Sequence, residues 1–333
     1  MTSHLTFLYN QFFITPPLPS TPLTDQTIII TGSNTGLGLA AAHQILALGA
    51  KKIILGVRNT TAGEIAAKSL DPDNTGVVEV WALDLASYES VLAFADRVSK
   101  TLERVDILIE NAGVATDEYE LAEGHERTVT VNVISTFLLA VLLLPVMRKT
   151  GEMLGPGAMA PRLCILASEV HAWTGFPQRH AEKVFDALDD MESYPGCMGE
   201  RYSTSKLLDV LLGRELAERV GGKREEGGSG VVVNVINPGF CRTELSRNMG
   251  SWGMEVMKMV VGRTAEVGGR TLVAGAVAGW ESHGQYMSNG VVKGEQLSGF
   301  VRSEEGREVQ GRLWRELGEV LEGVSGGVMD GLW

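Results

Sequence analysis

Short apolar runs alternate with longer stretches of helical periodicity from residue 27 onward. Most runs are apolar at nearly every position, as in strands that helices cover on both faces. The pattern predicts an α/β fold with a doubly wound parallel sheet. Strands are predicted at 27–31, 52–57, 77–83, 106–110, 163–167 and 231–236, with a short seventh at 285–287. Crossover helices are predicted at 36–48, 88–102, 126–148, 202–220 and 265–278.

Charge and composition exclude other classes of protein. A formal net charge of −12 opposes binding to a phosphate backbone, which excludes a nucleic-acid-binding function. Three widely separated cysteines, Cys164, Cys197 and Cys241, favour free thiols in a reducing compartment. The apolar stretch 5–13 is too short to span a membrane, and polar residues within 129–147 favour a buried helix there. No integral membrane segment is therefore expected.

The first predicted strand leads directly into Thr-Gly-Ser-Asn-Thr-Gly-Leu-Gly, residues 31–38. Glycines at such a turn let a pyrophosphate approach the backbone amides and seat the next helix close to the sheet. The helix that begins at Gly36 would present unpaired N–H groups and its positive dipole end to the anion. The motif predicts a dinucleotide site.

Cofactor choice depends on the end of the second strand. An acidic residue there binds the ribose hydroxyls of NAD, whereas a basic residue suits the 2′-phosphate of NADP. Arg58 follows the strand and offers a planar guanidinium that matches a phosphate. The sequence favours NADP(H), and an ordinary solvated arginine is the alternative.

Tyr202 and Lys206 lie one helical turn apart on the same face of a predicted helix. A free phenol titrates near pH ~10, and a nearby ammonium could lower that value by roughly 1 to 3 units. Tyr202 would then serve as a general acid or base. Ser168 follows the fifth strand, at the sheet edge where ligands bind in doubly wound folds, and could orient the substrate oxygen.

These motifs resemble those of the short-chain dehydrogenase/reductase family over residues 24–295. The wide spacing from Ser168 to Tyr202 resembles the retinol-dehydrogenase-like branch, including fungal biosynthetic reductases, and so does the start of the chain, Gln-Phe-Phe followed by Thr-Pro-Pro. The resemblance implies a catalytic set of Ser168, Tyr202, Lys206 and Asn132. The cofactor contacts that it implies, together with Arg58, are Gly32, Ser33, Asn34, Thr35, Gly36, Leu37, Gly38, Asp84, Leu85, Asn111, Ala112, Gly113, Tyr202, Lys206, Pro238, Gly239 and Thr243.

The resemblance also assigns roles. Tyr202 would pass the proton to the substrate oxygen, Ser168 would hydrogen-bond that oxygen, and Lys206 would lower the pKa of Tyr202 and hold the nicotinamide ribose. Asn132 would support a water that leads to Lys206. Glu110 stands where the family commonly has asparagine, and we expect this buried carboxylate to find a hydrogen-bond donor.

We divide the chain into a loosely packed N-terminal arm (1–23), a Rossmann-type NADP-binding catalytic domain (24–298) and a C-terminal tail (299–333) that ends in an amphipathic helix. The domain carries an insertion (169–201) and a substrate lid (240–264). His171 and His180 are predicted to be surface-loop residues, and they have no carboxylate partner for a metal site. Methionines in the lid suggest an apolar substrate, and plain packing is the equal alternative.

The sequence thus predicts an NADP(H)-dependent oxidoreductase that reduces a ketone or aldehyde, or oxidises the alcohol, of a moderately hydrophobic small molecule in secondary-metabolite biosynthesis. A non-catalytic NADP(H)-binding sensor or interaction protein is the alternative. The resemblance implies a homodimer through the helices around Asn132 and Tyr202, against which the acidic tail could interfere. A cytoplasmic location is expected, and peripheral membrane contact by residues 5–13 stays open.

Overall fold

A computed structural model describes residues 4–154, 158–222, 230–242 and 261–333. The strands are β1 (Thr27–Thr31), β2 (Lys52–Val57), β3 (Val78–Ala82), β4 (Ile107–Glu110), β5 (Leu121–Ala122), β6 (His125–Glu126), β7 (Arg162–Leu166), β8 (Val232–Asn237), β9 (Tyr286–Ser288) and β10 (Val291–Val292). The helices are α1 (His4–Phe13), α2 (Gly36–Ala47), α3 (Thr60–Leu70), α4 (Tyr88–Thr101), α5 (Arg127–Val129), α6 (Ser135–Leu154), α7 (Val184–Asp189), α8 (Met198–Val220), α9 (Ala265–Val277) and α10 (Glu304–Val324).

Eight strands form one sheet in the order β3-β2-β1-β4-β7-β8-β9-β10. Every neighbouring pair is parallel except β9 and β10. Central strands such as β1 and β4 are buried at each residue because helices cover both faces. The predicted α/β, doubly wound Rossmann fold is confirmed, and the carboxyl ends of the parallel strands share one edge.

Two hydrophobic cores flank the sheet. One is built from the inner faces of α4, α6, α8 and α10, and the other from those of α2, α3 and α9. The apolar helical segment Arg127–Leu154, in which a π turn (Thr130–Ile134) joins α5 to α6, is long enough to cross a membrane. However, 83% of its most apolar window is buried inside the fold. Burial in the core therefore accounts for its hydropathy, as expected from the sequence.

The seven predicted strands are present with ends that differ by at most two residues, and β1 and β2 match fully. The sequence reading missed α3, the β5–β6 hairpin and β10. In α3, Gly63 packs so closely on the sheet that a Cβ atom would lie 2.7 Å from the side chains of Val57 and Val80. That glycine weakens the helical signal in the sequence while it permits the packing.

Both terminal segments belong to the fold. The predicted amphipathic tail helix is α10, which buries Leu313, Trp314 and Leu317 in the same core as α8. The expectation of a loosely packed arm is wrong, because α1 is hydrogen-bonded to residues that are more than 220 positions away. The side chain of Gln11 donates these hydrogen bonds, to the carbonyl oxygens of Phe240 and Val261.

Candidate active site

The glycine loop after β1 fits directly against the Asn-Ala-Gly step after β4. Gly32 has a φ of +62°, and a Cβ atom there would lie 2.8 Å from the Cα of Ala112. A Cβ atom on Gly38 would lie 2.7 Å from Asn111 Nδ2, which donates to the carbonyl oxygens of Thr31 (2.8 Å) and Gly32 (3.0 Å). Only glycine fits at these two positions, so the two sequence motifs form one structural unit.

The start of α2 provides a place for an anion. Thr35 is the N-cap residue, but its side chain accepts no hydrogen bond from the first turn of the helix. The N–H groups of that turn have no intrahelical acceptor, and Gly36, with a φ of +61°, opens the turn. Ser33 stabilises the loop by donating its hydroxyl to the Ile30 carbonyl (2.8 Å). These residues fit the pyrophosphate of a dinucleotide.

Three further predicted cofactor contacts surround this loop. Arg58 is exposed at the end of β2 and forms no ion pair within the described ranges. Asp84 follows β3, and its carboxylate accepts the Ala86 N–H (3.0 Å), which shapes the turn, while Leu85 beside it is buried. The sheet order places the ends of β2 and β3 beside the end of β1. All three residues therefore lie on the glycine-loop side of the sheet edge.

Lys206 ties α8 to the end of β7. Its Nζ donates to the Leu166 carbonyl at 2.7 Å and lies 5.8 Å from the ring centroid of Tyr202. Ser168 lies two residues beyond Leu166, half-buried, as the N-cap of a 3₁₀ turn (Glu169–Ala172) that packs against α8. The end of β7 thus has Ser168 on its continuation and Lys206 hydrogen-bonded to its last residue, with Tyr202 one turn before Lys206 on α8.

Asn132 joins the same cluster from the π turn. Its Nδ2 donates to Ser205 Oγ (2.9 Å) and to the Val114 carbonyl (2.9 Å), and its Oδ1 accepts the Val114 N–H (2.8 Å). A Cβ atom on Gly113 would lie 3.2 Å from Asn132 Oδ1 and 4.0 Å from Lys206 Nζ. The amide group thus fixes the Asn-Ala-Gly loop to α8, whereas its expected support of a water stays a prediction.

The pKa of Tyr202 is raised above its ordinary value of 10.0. Burial of the phenol raises it most, the Lys206 ammonium lowers it, and Asp209 and Cys241 raise it further. Lys206 thus lowers the pKa of Tyr202 as predicted, but burial outweighs this effect in the protein without cofactor. The sequence argument weighed the attraction of one charge and left out burial.

Asp209 is a residue of the site that the sequence reading missed. Its Oδ2 accepts from Lys206 Nζ at 2.8 Å, and both side chains are buried, with 1% and 6% of their surfaces exposed. Burial lowers the pKa of Lys206, but Asp209 and Tyr202 raise it by more. Burial raises the pKa of Asp209 to about 6 although Lys206 lowers it. The spacing of three residues on one helix was the available signal.

Glu110 faces this pair from the end of β4. As expected, it finds a donor: Thr31 Oγ1 donates to Glu110 Oε2 at 3.2 Å. The pKa of Glu110 is raised to about 8, mainly by burial and also by the neighbouring Asp209, although the hydrogen bond from Thr31 lowers it. Glu110 is therefore mainly protonated at neutral pH, which avoids a second buried negative charge beside Asp209.

Residues that follow β8 form hydrogen bonds with α1. Gly239, with a φ of +77°, follows Pro238, and Gln11 of α1 bridges the next residues: its Nε2 donates to the carbonyls of Phe240 (2.8 Å) and Val261 (3.1 Å). Arg263 Nη2 donates to the carbonyls of Asn10 and Ile14. The predicted contact Thr243 and most of the predicted lid (240–264) lie outside the described residues.

The insertion carries a structural histidine. His171 is 1% exposed, its Nδ1 donates to the Ser168 carbonyl (2.8 Å), and its Nε2 accepts the Ser298 N–H (3.2 Å). Burial lowers the pKa of His171 to about 4, so the ring is neutral at ordinary pH. The surface-loop prediction is wrong for His171 and confirmed for His180, which is exposed. A buried ring that links Ser168 to a distant segment has no local sequence signal.

Salt bridges and hydrogen bonds anchor the rest of the insertion. Arg201 Nε lies 3.5 Å from Glu126 Oε2, and both side chains are almost fully buried. Asp189 accepts the Glu126 N–H (2.6 Å) and contacts His125 Nδ1 (2.7 Å). Within the described ranges, no group of three or more His, Cys, Asp or Glu residues could hold a metal ion. The three cysteines are free, as predicted.

The fold and these side chains define a dinucleotide-binding protein of the Rossmann class with a serine, a tyrosine and a lysine at the ligand edge. The family model for short chain dehydrogenases matches residues 26–154. The chain is 40% identical to the short-chain dehydrogenase anuD of Penicillium roqueforti, over 96% of this chain and 84% of that protein. It is 42% identical to the short chain dehydrogenase/reductase dmxR8 of a Cryptosporiopsis species, over 97% and 98%.

Solved structures share the fold. The RhlG/NADP active-site complex of Pseudomonas aeruginosa has a TM-score of 0.60 at 23% identity, covering 84% of this chain and 99% of that one. NADPH-bound carbonyl reductase from chicken fatty liver has a TM-score of 0.59 at 19% identity, covering 81% and 99%. The chain belongs to the short-chain dehydrogenase/reductase family, and its resemblance to fungal members is confirmed. Membership makes it an oxidoreductase that acts on CH–OH or C=O groups.

Proposed function

We propose that this protein is an NADP(H)-dependent reductase of a ketone or aldehyde, or the dehydrogenase of the corresponding alcohol. One observation carries the proposal: Tyr202 and Lys206 lie on one face of α8, which Lys206 fixes to the end of β7 just before Ser168. This constellation stands at the strand edge where doubly wound folds bind ligands. The fungal relatives support a substrate from secondary metabolism.

The glycine loop and the start of α2 would hold the pyrophosphate of NADP(H), since α2 has no side-chain cap and glycine fits at positions 32 and 38. Arg58 would hold the 2′-phosphate, because it is exposed and free of carboxylates among the described residues. Asp84, Leu85 and the Asn111–Gly113 loop line the same edge. When bound, NADP(H) supplies or accepts a hydride at its nicotinamide ring.

Four side chains of the protein would handle the substrate oxygen and its proton. Tyr202 would donate a proton to the carbonyl oxygen in reduction and accept it from the alcohol in oxidation. Ser168 would orient that oxygen by a hydrogen bond. Lys206 would hold the ribose and stabilise the phenolate, and Asn132 would hold the loop beside Lys206 and support a water. The proposal of a moderately hydrophobic substrate rests on four methionines, at 249, 254, 257 and 259, which lie outside the described residues.

Cofactor choice is tested by titrating the protein with NADPH and NADH while nicotinamide fluorescence is followed. Arg58→Ala should weaken NADPH binding at least tenfold and leave NADH binding within about twofold, since a charge-assisted phosphate contact is worth roughly 1.5 to 3 kcal/mol. Lys51→Ala is the matched control, because Lys51 is an exposed cation at the opposite end of β2. Equal losses in both variants, or an equal affinity for both cofactors, would refute the assignment of Arg58.

Catalysis is tested separately with Tyr202→Phe and a panel of ketones. The variant should keep cofactor binding within a few-fold and lose at least two orders of magnitude in turnover, because general acid–base groups typically contribute 10²–10⁴-fold. Tyr194→Phe, a tyrosine of the insertion outside α8, is the control. Unchanged turnover in Tyr202→Phe would refute the catalytic role of Tyr202, whereas the absence of turnover by the wild type across the panel would favour the non-catalytic NADP(H)-binding protein.

We also propose how the protein assembles and where in the cell it is located. In a homodimer paired through α8, the partner would have to avoid α10, since Gln310 Nε2 donates to Glu215 Oε2 of α8 at 2.8 Å. We therefore propose that a homodimer would pair through faces other than α8. Sedimentation of the wild type and of a chain truncated after residue 302, which lacks α10, distinguishes pairing through α8 from pairing through other faces. A cytoplasmic location is proposed with them, and fluorescence of the tagged chain in cells tests it.

A further inference from the structure

Lys206 forms two short hydrogen bonds, neither of which is to Tyr202. Lys206 Nζ points to Asp209 Oδ2 (2.8 Å) and to the Leu166 carbonyl (2.7 Å), while its distance to the centre of the Tyr202 ring is 5.8 Å. The hydrogen bonds of the ammonium are thus made to Asp209 and to the Leu166 carbonyl, and the phenol ring lies farther away. Among the described residues, Asp209 Oδ2 accepts a hydrogen bond from Lys206, and Asp209 Oδ1 has no partner.

We propose that Asp209 is a positioning residue that pairs with the Lys206 ammonium and keeps the Tyr202 hydroxyl in its protonated, proton-donating form, so that carbonyl reduction extends to alkaline pH. The proposal rests on the proposed function, because it assigns the pH range of that same site. A site with Lys206 alone would favour the phenolate, which serves alcohol oxidation. The buried carboxylate counteracts that tendency.

The charges around the phenol support this direction. Tyr202 faces Lys206 and Asp209 from its own helix and Cys241 from the segment after β8. Asp209 faces Lys206 and, from the end of β4, Glu110. Lys206 and Asp209, 2.8 Å apart, form a compensated pair instead of a lone cation, and Glu110, with a pKa of about 8, adds a negative charge as the pH rises above that value. The positive charge next to Tyr202 is therefore partly cancelled.

The size of the effect follows from the helix geometry. Asp209 lies seven residues after Tyr202, which is two turns along α8, or about 10 Å. At an effective dielectric constant of about 20, a unit charge at that distance changes the pKa of Tyr202 by roughly one pH unit. Removing the charge of Asp209 without changing its shape should shift the ionisation of Tyr202 by about that amount.

The experiment compares pH profiles of reductive kcat/KM for the wild type, Asp209→Asn and Asp209→Glu. In Asp209→Asn the alkaline limb should move down by about one pH unit, so that the rate on the falling limb drops about tenfold, while Asp209→Glu stays close to the wild type. Glu215→Gln is the matched control. It removes an 8%-exposed carboxylate of the same helix, 13 residues or about 20 Å from Tyr202 and paired with Arg219, and should move the limb by less than about half a pH unit.

An unmoved limb in Asp209→Asn, or an upward shift, would overturn the proposal. An upward shift would mean that Asp209 serves to keep Lys206 charged. A second measurement needs no substrate: ultraviolet titration of tyrosinate, with Tyr202→Phe subtracted, should show the same downward shift in Asp209→Asn. If no carbonyl is turned over by the wild type, the proposed function fails, whereas this titration still decides the role of Asp209.

Discussion

Replacing the buried ring of His171 should change the pH dependence of stability in a defined direction. His171 is neutral in the folded protein, where burial lowers its pKa from 6.5 to about 4. In that pH interval the unfolded chain binds one proton more than the folded chain at this residue. The stability that His171 contributes is therefore complete above pH 6.5 and is lost as the pH falls to about 4.

The magnitude follows from the shift. A difference of about 2.5 pH units corresponds to roughly 3.4 kcal/mol, or about 1.4 kcal/mol for each pH unit. Above pH 6.5 the two hydrogen bonds of the ring, at 2.8 and 3.2 Å, add roughly 1 kcal/mol each. His171→Gln has no proton to gain in this interval. Its stability deficit relative to the wild type should therefore shrink on acidification and reverse near pH ~5, where the loss of about 1.4 kcal/mol per pH unit has cancelled the two hydrogen bonds.

Urea denaturation of both proteins from pH 4 to pH 8 measures this difference. Subtraction removes the contributions of other titrating groups, including Glu110 and Glu169, because they are common to both proteins. His180→Gln, at an exposed position of the same insertion, is the control and should stay parallel to the wild type. A constant difference between the wild type and His171→Gln across the interval would refute the neutral, buried ring.

Three other changes test the structure. Arg201→Met should lower the free energy of unfolding by about 3 to 5 kcal/mol in urea denaturation, because it leaves Glu126 buried without its cation, and a loss below 1 kcal/mol would contradict the buried pair. Gly38→Ala should abolish measurable NADPH binding, since its Cβ atom would lie 2.7 Å from Asn111 Nδ2, and wild-type affinity would contradict the tight loop. Glu110→Gln should become more stable relative to the wild type as pH rises from 4.5 to 8, because the folded protein keeps Glu110 protonated while the unfolded chain ionises it, and parallel curves would contradict a raised pKa.

Local patterns predicted the parts of this fold that local physics determines. The strands β1 and β2 were placed to the residue because each is an unbroken apolar run between polar turns. The glycine loop was recognised because backbone geometry permits few other residues at Gly32. Lys206 and Tyr202 were found because their spacing on a helix fixes their relative position.

Features that depend on distant contacts or on burial escaped the sequence reading. The partners of Gln11 lie 229 and 250 residues away, and no local pattern indicates such a contact. His171 was assigned to the surface because a histidine in an insertion is usually solvated. The net direction of the Tyr202 pKa was missed since burial depends on everything packed around the phenol, whereas the lysine charge was visible in the sequence.

The docking of α1 also orders events during synthesis. This helix is made before its acceptors at Phe240 and Val261, which follow about 230 to 250 residues later, an interval of roughly 12 to 50 s at about 5–20 residues per second. Tyr9, Phe12 and Phe13 are exposed even after docking. The hydrogen bonds that hold α1 in place therefore cannot form until this interval has passed.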